Sequence, residues 1–166
     1  MATRLLFGFA IMASAGLLIG GCQSPDEEAS SDLSEQALRG RRVYQIYCMS
    51  CHQADGSGLG GIYPPLSGTD WVVGDKGRLI RLVLHGMQGP VEIGGERYDN
   101  LMPGQYQLSD DQVADVLTFV RQSFGNDAES VAADEVFAVR RSEGRRGTWQ
   151  ARELRSQTGI PDVPEE

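Results

Sequence analysis

The stretch Cys48-Met49-Ser50-Cys51-His52 decides how this chain is interpreted. Two cysteines three positions apart lie on one helical turn, so each thiol can form a thioether bond to a vinyl group of the same porphyrin. The adjacent His52 then lies beneath the iron as an axial ligand. The pattern predicts one covalently bound haem c, and with it an electron carrier.

Two other chemistries use a pair of cysteines at this spacing. A thioredoxin-like redox pair does not account for the histidine that follows directly. A zinc site needs two more ligands, and only Cys22 and His85 remain to supply them. Haem attachment explains both cysteines and His52 together, and is therefore the favoured interpretation.

The third cysteine, Cys22, follows an apolar stretch near the N-terminus. Residues 5–21 are apolar, come after Arg4 and end in two glycines. Small residues before a cysteine are typical of bacterial lipoprotein signals, in which cleavage leaves an N-terminal cysteine that carries acyl chains. The alternatives are ordinary cleavage after residue 15 and an uncleaved anchor, although this stretch is short for crossing about 30 Å of hydrocarbon. We expect a signal peptide at 1–21 and lipidation of Cys22.

The charge of the chain limits its partners. The 166 residues carry a formal net charge of −8, and removal of 1–21 takes away one basic residue and leaves −9. An acidic surface repels the phosphates of nucleic acid, so we expect no nucleic acid partner. The acidity either keeps an exported protein soluble or steers it toward a basic partner, and the composition is compatible with both.

Helical periodicity predicts a helix from Leu33 to Cys48 that leads into the motif. Gly40 lies inside it, and an interior glycine costs about 1 kcal/mol relative to alanine, so a close helix crossing is expected there. The predicted partner helix runs from Ser109 to Phe124, opens with a capping box and is followed by Gly125 as its stop.

Between these helices the sequence supplies apolar mass to enclose a porphyrin. A helix is predicted from Lys76 to His85, and Trp71 precedes it. Two adjacent glycines between β-favouring residues predict a hairpin over Val91–Tyr98. Trp71 and Tyr98 serve either as core residues or as hydrogen-bond donors to a haem propionate.

The motif and the two helices resemble class I cytochromes c. Gly40 and Tyr44 lie eight and four residues before Cys48, where that family places the small residue and the aromatic that meet its C-terminal helix. Pro64 stands twelve residues after His52. The resemblance implies that the Pro64 carbonyl accepts the Nδ1 proton of the proximal histidine.

The resemblance also implies the architecture. We expect an all-α class I cytochrome c fold, a small helical bundle around covalent haem, with a short hairpin and a C-terminal helical extension. The predicted segments are a lipoprotein-type signal peptide at 1–21, a flexible tether at 22–32, the cytochrome c domain at 33–126 and the C-terminal extension at 127–166.

The resemblance further implies a methionine as the sixth iron ligand, from a loop before the C-terminal helix. Met102 fits, since it follows His52 by 50 residues and precedes Pro103 and a glycine. Met87, His85 and an open distal position are the alternatives. A soft thioether favours ferrous iron, so His/Met ligation predicts a higher reduction potential than two imidazoles.

The extension contains two predicted helices. One spans 131–141, and Thr148 caps a second that ends before Gly159. Its basic residues form either a solvated arm or a docking surface. These are Arg140, Arg141, Arg145, Arg146, Arg152 and Arg155.

Together these expectations describe a one-electron carrier with no catalytic residues, lipid-anchored in the bacterial cell envelope and facing the periplasm. Its expected partners are redox proteins: an oxidase, a nitrite reductase or a quinoprotein dehydrogenase. A haem enzyme or ligand sensor with an open distal position is one alternative. A subunit through which electrons enter a membrane redox complex is another.

Overall fold

The computed structural model describes residues 34–144 and 147–161. Cys22 and the segments 1–21 and 22–32 lie outside the described residues. Within the described ranges no helix is long and apolar enough to cross a membrane. The helices are α1 Glu35–Tyr47, α2 Met49–His52, α3 Asp70–Val73, α4 Lys76–His85, α5 Asp110–Arg121, α6 Ala133–Glu143 and α7 Ala151–Leu154. The strands are β1 Gly86–Gln88, β2 Val91–Ile93, β3 Glu96–Tyr98, β4 Met102–Pro103 and β5 Trp149–Gln150.

Serine side chains cap the first turns of α1 and α5, and α1 begins at Glu35 rather than at the predicted Leu33. The Ser34 hydroxyl accepts the Ala37 backbone N–H at the start of α1. Ser109 and Gln112 form the predicted capping box at the start of α5, in which each side chain bonds the other residue's backbone N–H. Such bonds satisfy N–H groups that have no partner within the helix.

The helices α1 and α5 cross at Gly40, as predicted. A side chain on Gly40 would overlap the Asp115 carbonyl and lie 2.9 Å from the Phe119 Cβ. Arg39, the preceding residue, donates two 2.9 Å hydrogen bonds to the Asp115 carboxylate. Because the Arg39 side chain is half exposed, this ion pair contributes little to stability, and the close backbone approach defines the crossing.

The end of α5 differs from the prediction. We expected the helix to reach Phe124, but its last residue is Arg121. Phe124 has a left-handed φ of +59°, and its ring lies 5.4 Å from the Tyr44 ring and 5.5 Å from the Phe119 ring, centroid to centroid. The chain leaves the helix early because this conformation brings the Phe124 ring into the aromatic cluster.

Two small sheets make the all-α expectation approximate. The strands β2 and β3 form the predicted hairpin, with Gly94 and Gly95 at φ values of +62° and +82° in its turn. Positive φ at both central residues is what a two-residue type I′ turn requires. The second sheet has the order β4-β1-β5, with β1 antiparallel to β4 and parallel to β5.

The C-terminal extension packs against the rest of the chain. The helix expected within 131–141 is confirmed as α6, but the helix predicted to start at Thr148 is wrong. Trp149 and Gln150 instead pair with β1, and only the four residues of α7 are helical. Pairing with β1 uses backbone N–H and C=O groups that a helix starting at Thr148 would need for its own hydrogen bonds. Buried side chains of the extension join the main core: Val131, Val136, Val139, Trp149, Ala151 and Leu154.

Arg140 belongs to neither a solvated arm nor a docking surface. Its guanidinium donates to the Asp110 carboxylate at 2.7 Å, to the Tyr106 carbonyl at 2.9 Å and to the Leu108 carbonyl at 2.7 Å. These bonds fasten α6 to the loop between β4 and α5. Charged donors make stronger hydrogen bonds than neutral ones, so Arg140 ties the extension to that loop.

We expect Gly40→Ala to lower the free energy of unfolding by about 1–3 kcal/mol, because the added methyl group must push α1 away from α5. Denaturant unfolding of the holoprotein, followed by circular dichroism, measures the change. Gly147→Ala is the matched control, since a methyl group there meets no atom within 4 Å. Equal unfolding midpoints for the two variants would contradict the assigned role of Gly40.

Candidate haem-binding site

An apolar cavity lies between α1, α4, α5 and the two sheets. Cys48, Cys51 and His52 line it together with Met87 and Met102. Most of the remaining wall is hydrophobic, as a porphyrin face requires. That part of the wall includes Leu66, Leu79, Leu82, Val83, Leu117 and Val120.

The backbone holds both cysteines of the motif in place. Cys48 ends α1, donating its N–H to the Tyr44 carbonyl at 2.9 Å, and its own carbonyl accepts the N–H groups of Cys51 at 3.1 Å and His52 at 3.0 Å. Cys48 and Cys51 do not form a disulfide bond with each other. Burial, followed by the nearby Cys51, raises the pKa of Cys48 to about 11. A thiol that stays protonated at neutral pH is a poor nucleophile, which argues against the thioredoxin-like alternative.

His52 is held in the form that an iron ligand needs. Its Nδ1 lies 3.0 Å from the Pro64 carbonyl oxygen. Because a carbonyl only accepts, Nδ1 carries the proton and Nε2 keeps its lone pair. Burial lowers the pKa of His52, and the bond to Pro64 offsets only part of that effect. The ring is therefore neutral at physiological pH and able to bind a metal through Nε2.

Asn126, which the sequence analysis did not single out, fixes the loop that follows Pro64. Its amide donates to the Leu66 carbonyl at 3.1 Å and the Val120 carbonyl at 2.8 Å, and accepts the Gly68 N–H at 2.7 Å. Asn126 is buried and joins this loop to α5. In the sequence, Asn126 could have been recognised as a polar residue directly after the turn at Gly125.

Of the predicted candidates for the sixth ligand, the structure brings two methionines to the cavity. Met87 and Met102 are paired residues of β1 and β4, so their side chains project from the same face of the sheet. His85 is buried, but its ring lies 5.6 Å from the Tyr106 ring and it does not line the cavity.

Two polar atoms in the cavity wall fit the carboxylates of a haem. Trp71 Nε1 and Thr69 Oγ1 are buried, and within the described residues neither has a hydrogen-bond partner. A buried donor left unpaired costs about 1–3 kcal/mol, which a propionate oxygen would relieve. The guanidinium carbons of Arg78 and Arg155 each lie 5.0 Å from the Trp71 ring, so positive charge stands next to these donors.

The chain belongs to the cytochrome c family, whose sequence profile, described as cytochrome c, matches residues 37–124. It is 35% identical over 104 residues to cytochrome c-552 of Thermus thermophilus, a match that covers 60% of this chain and 78% of that protein. The family binds covalent haem c and transfers electrons. The present chain is therefore a haem c electron carrier.

Other relatives are subunits of dehydrogenases. The chain is 36% identical over 115 residues to the gluconate 2-dehydrogenase cytochrome c subunit of Pantoea cypripedii, covering 66% of this chain and 25% of that subunit. It is 35% identical over 109 residues to the fructose dehydrogenase cytochrome subunit of Gluconobacter japonicus, covering 61% and 22%. The relatives of this chain thus include cytochrome subunits of dehydrogenases.

We expect Trp71→Phe to retain covalent haem but to lower the free energy of unfolding by about 1–3 kcal/mol, because the propionate loses a buried donor. Denaturant unfolding followed by haem absorption measures the loss. In the wild-type holoprotein, the indole N–H should also exchange slowly with solvent, as nitrogen-15 NMR can record. Rapid exchange, or wild-type stability in the variant, would contradict the assignment.

Proposed function

We propose that this protein is a one-electron carrier of the bacterial cell envelope, anchored by lipid at Cys22 and facing the periplasm. Its haem is joined to Cys48 and Cys51 and bound axially by His52 and Met102. The observation that carries the haem assignment is one apolar cavity lined by both cysteines, a histidine with its Nδ1 bound to a carbonyl, and a thioether. The envelope location and the lipid anchor rest on the sequence pattern that precedes Cys22.

The backbone around Met102 favours it over Met87 as the axial ligand. Met87 is only 8% exposed and lies in the central strand, with neighbours on both sides. Met102 lies in the edge strand, half-buried, where its side chain reaches the cavity without unpacking the core. Gly104 approaches the His85 backbone so closely that a side chain there would overlap it. The segment that carries Met102 is thus held against the end of α4.

The ligand set defines the chemistry. The haem supplies a metal centre that changes oxidation state by one electron, and the protein sets its potential through axial ligands and burial. A thioether opposite His52 favours the ferrous state and fills the position where a substrate or diatomic ligand would bind. The proposal therefore excludes the haem enzyme or ligand sensor with an open distal position.

The mouth of the cavity supplies a surface for electron exchange. Tyr47, Ile62 and Leu101 line the cavity and are 39%, 42% and 56% exposed. The Asn100 side chain donates to the Ile62 carbonyl at 3.0 Å and so joins two sides of the mouth. Exposed apolar groups beside a cofactor typically mark a protein docking surface. We expect a redox partner to dock here.

The relatives support a dehydrogenase as one partner. Two of them are, by name, cytochrome subunits of gluconate 2-dehydrogenase and of fructose dehydrogenase. A carrier of this kind accepts electrons from such an enzyme and passes them to an acceptor such as an oxidase or a nitrite reductase. The same observation supports a second candidate, in which this chain is itself a subunit through which electrons enter a membrane redox complex.

We expect Met102→His to retain haem, to lose the far-red Met–iron absorption band and to lower the reduction potential by on the order of a hundred millivolts, because imidazole favours ferric iron. Optical titration against redox mediators measures both changes. Met87→Leu is the matched control and should leave the band and the potential nearly unchanged. Loss of the band in Met87→Leu would show that the ligand is Met87.

We expect Cys22→Ser to block lipid attachment while leaving the haem spectrum unchanged, because Cys22 is not a thioether site. Each methylene of an acyl chain contributes about 0.8 kcal/mol, so two or three chains hold a protein firmly on a membrane where one is marginal. Membrane fractionation and mass spectrometry measure the change. An intact segment 1–21 on the membrane-derived wild-type protein would contradict lipidation.

A further inference from the structure

Three side chains form a row across the three-stranded sheet beside the cavity. Met87 in β1 is the paired residue of Met102 in β4 and also of Trp149 in β5. Paired residues on neighbouring strands project from the same face, and in the antiparallel pair of Met87 and Met102 the Cβ atoms are expected about 4.5–5.5 Å apart. Trp149 is 4% exposed and belongs to the same core cluster as Met87, against which Met102 packs. The C-terminal extension thus reaches Met102 through one intervening side chain.

The extension also holds the other end of the segment that carries Met102. Arg140 bonds the carbonyls of Tyr106 and Leu108, a few residues beyond Met102. Between these points, the Gln105 N–H donates to the Val83 carbonyl of α4 at 2.7 Å. The distal segment is therefore held from the sheet side by β5 and from the loop side by α6.

The haem attachment side is held independently. Within the described residues, the hydrogen bonds of Cys48, Cys51 and His52 run to their own helical turns and to Pro64 and Gly58. None of them reaches the extension. Weakening the extension should therefore loosen Met102 and leave covalent attachment intact.

We propose that Trp149 is a positioning residue for the distal thioether, and that the extension keeps Met102 on the iron because β5 pairs with β1, which in turn pairs with β4. This inference rests on the proposed His52/Met102 ligation. In this proposal the thioether would exchange between a bound and a released position, and Trp149, the residue paired with Met87 in the neighbouring strand, would favour the bound one. Removing the indole opens a space into which Met87 and β4 can retreat.

Binding of added imidazole to the ferric holoprotein measures this equilibrium, because imidazole takes the distal position only when the thioether has left. Its apparent affinity scales with the released fraction. We expect Trp149→Ala to bind imidazole about tenfold more tightly than wild type. Trp149→Phe keeps an aromatic ring at the position paired with Met87 and should restore most of the wild-type affinity. Phe137→Ala, which removes an exposed ring of α6, is the matched control and should change nothing.

A purely structural role for Trp149 would lower the unfolding midpoint without changing imidazole affinity under native conditions. Affinity within twofold of wild type in folded Trp149→Ala, or an equal increase in Phe137→Ala, would overturn the inference. If Trp149→Ala does not fold, Arg140→Gln carries the same expectation of tighter imidazole binding, and an unchanged affinity there overturns it.

Hydrogen exchange of the Gln105 amide separates this inference from the proposed ligand. Faster exchange at Gln105 in Trp149→Ala than in Phe137→Ala would show that Trp149 holds the segment that carries Met102, whatever the ligand is, and equal rates would oppose the inference. Absence of the far-red Met–iron band in wild-type protein would refute Met102 as the ligand. If the band is present in the wild-type protein and the imidazole affinity is unchanged in every variant, only the role of Trp149 is refuted.

Discussion

The close contact between α1 and α5 at Gly40 is the constraint on which the rest of the structure depends. With no side chain at that position, the two backbones approach until Gly40 meets the Asp115 carbonyl. Four residues further along α1, Tyr44 packs against Phe119 and Phe124, with ring centroids 5.3 Å and 5.4 Å away. The end of α1, and therefore the start of the haem motif, takes its position from this crossing.

The two sides of the cavity are built by different means. On the attachment side, short-range hydrogen bonds fix Cys48, Cys51 and His52, and the Pro64 carbonyl orients the histidine ring. On the side of the sheet, Met102 lies in β4, which pairs with β1, and β1 pairs with β5 of the C-terminal extension. The attachment side is a local structure, whereas the sheet depends on segments far apart in the chain.

A buried arginine also stabilises the segments around the cavity. The Arg121 guanidinium is buried where α5 ends, and burial lowers its pKa. It donates to the carbonyls of Glu129 at 2.7 Å, Val72 at 2.6 Å and Gly74 at 3.0 Å. This buried cation satisfies three carbonyls and joins the end of α3 to the segment after α5, and its removal would leave those carbonyls unpaired. Arg121, Arg140 and Asn126 together fasten the turns around the haem cavity.

The sequence by itself determined the features that depend on neighbouring residues or on the fixed geometry of haem attachment. The spacing of Cys48, Cys51 and His52 predicted the haem, Ser109 predicted the start of α5, and Gly94 with Gly95 predicted the hairpin. The energetic cost of a glycine inside a helix indicated that another helix crosses closely at Gly40. Each of these follows from bonds within a few residues or from a single steric requirement, so each can be recognised without knowing the fold.

Only the tertiary structure decided the features that arise from distant contacts. The early end of α5 follows from the packing of Phe124 against Tyr44, about eighty residues away, which overrides a helical pattern. Trp149 and Gln150 form a strand because they pair with β1. A two-residue strand is too short for a local sequence pattern to specify this pairing. The packing of α3 and α4 likewise decides two further features. It leaves His85 outside the cavity, and it leaves the Trp71 Nε1 donor in the cavity wall without a hydrogen-bond partner among the described residues.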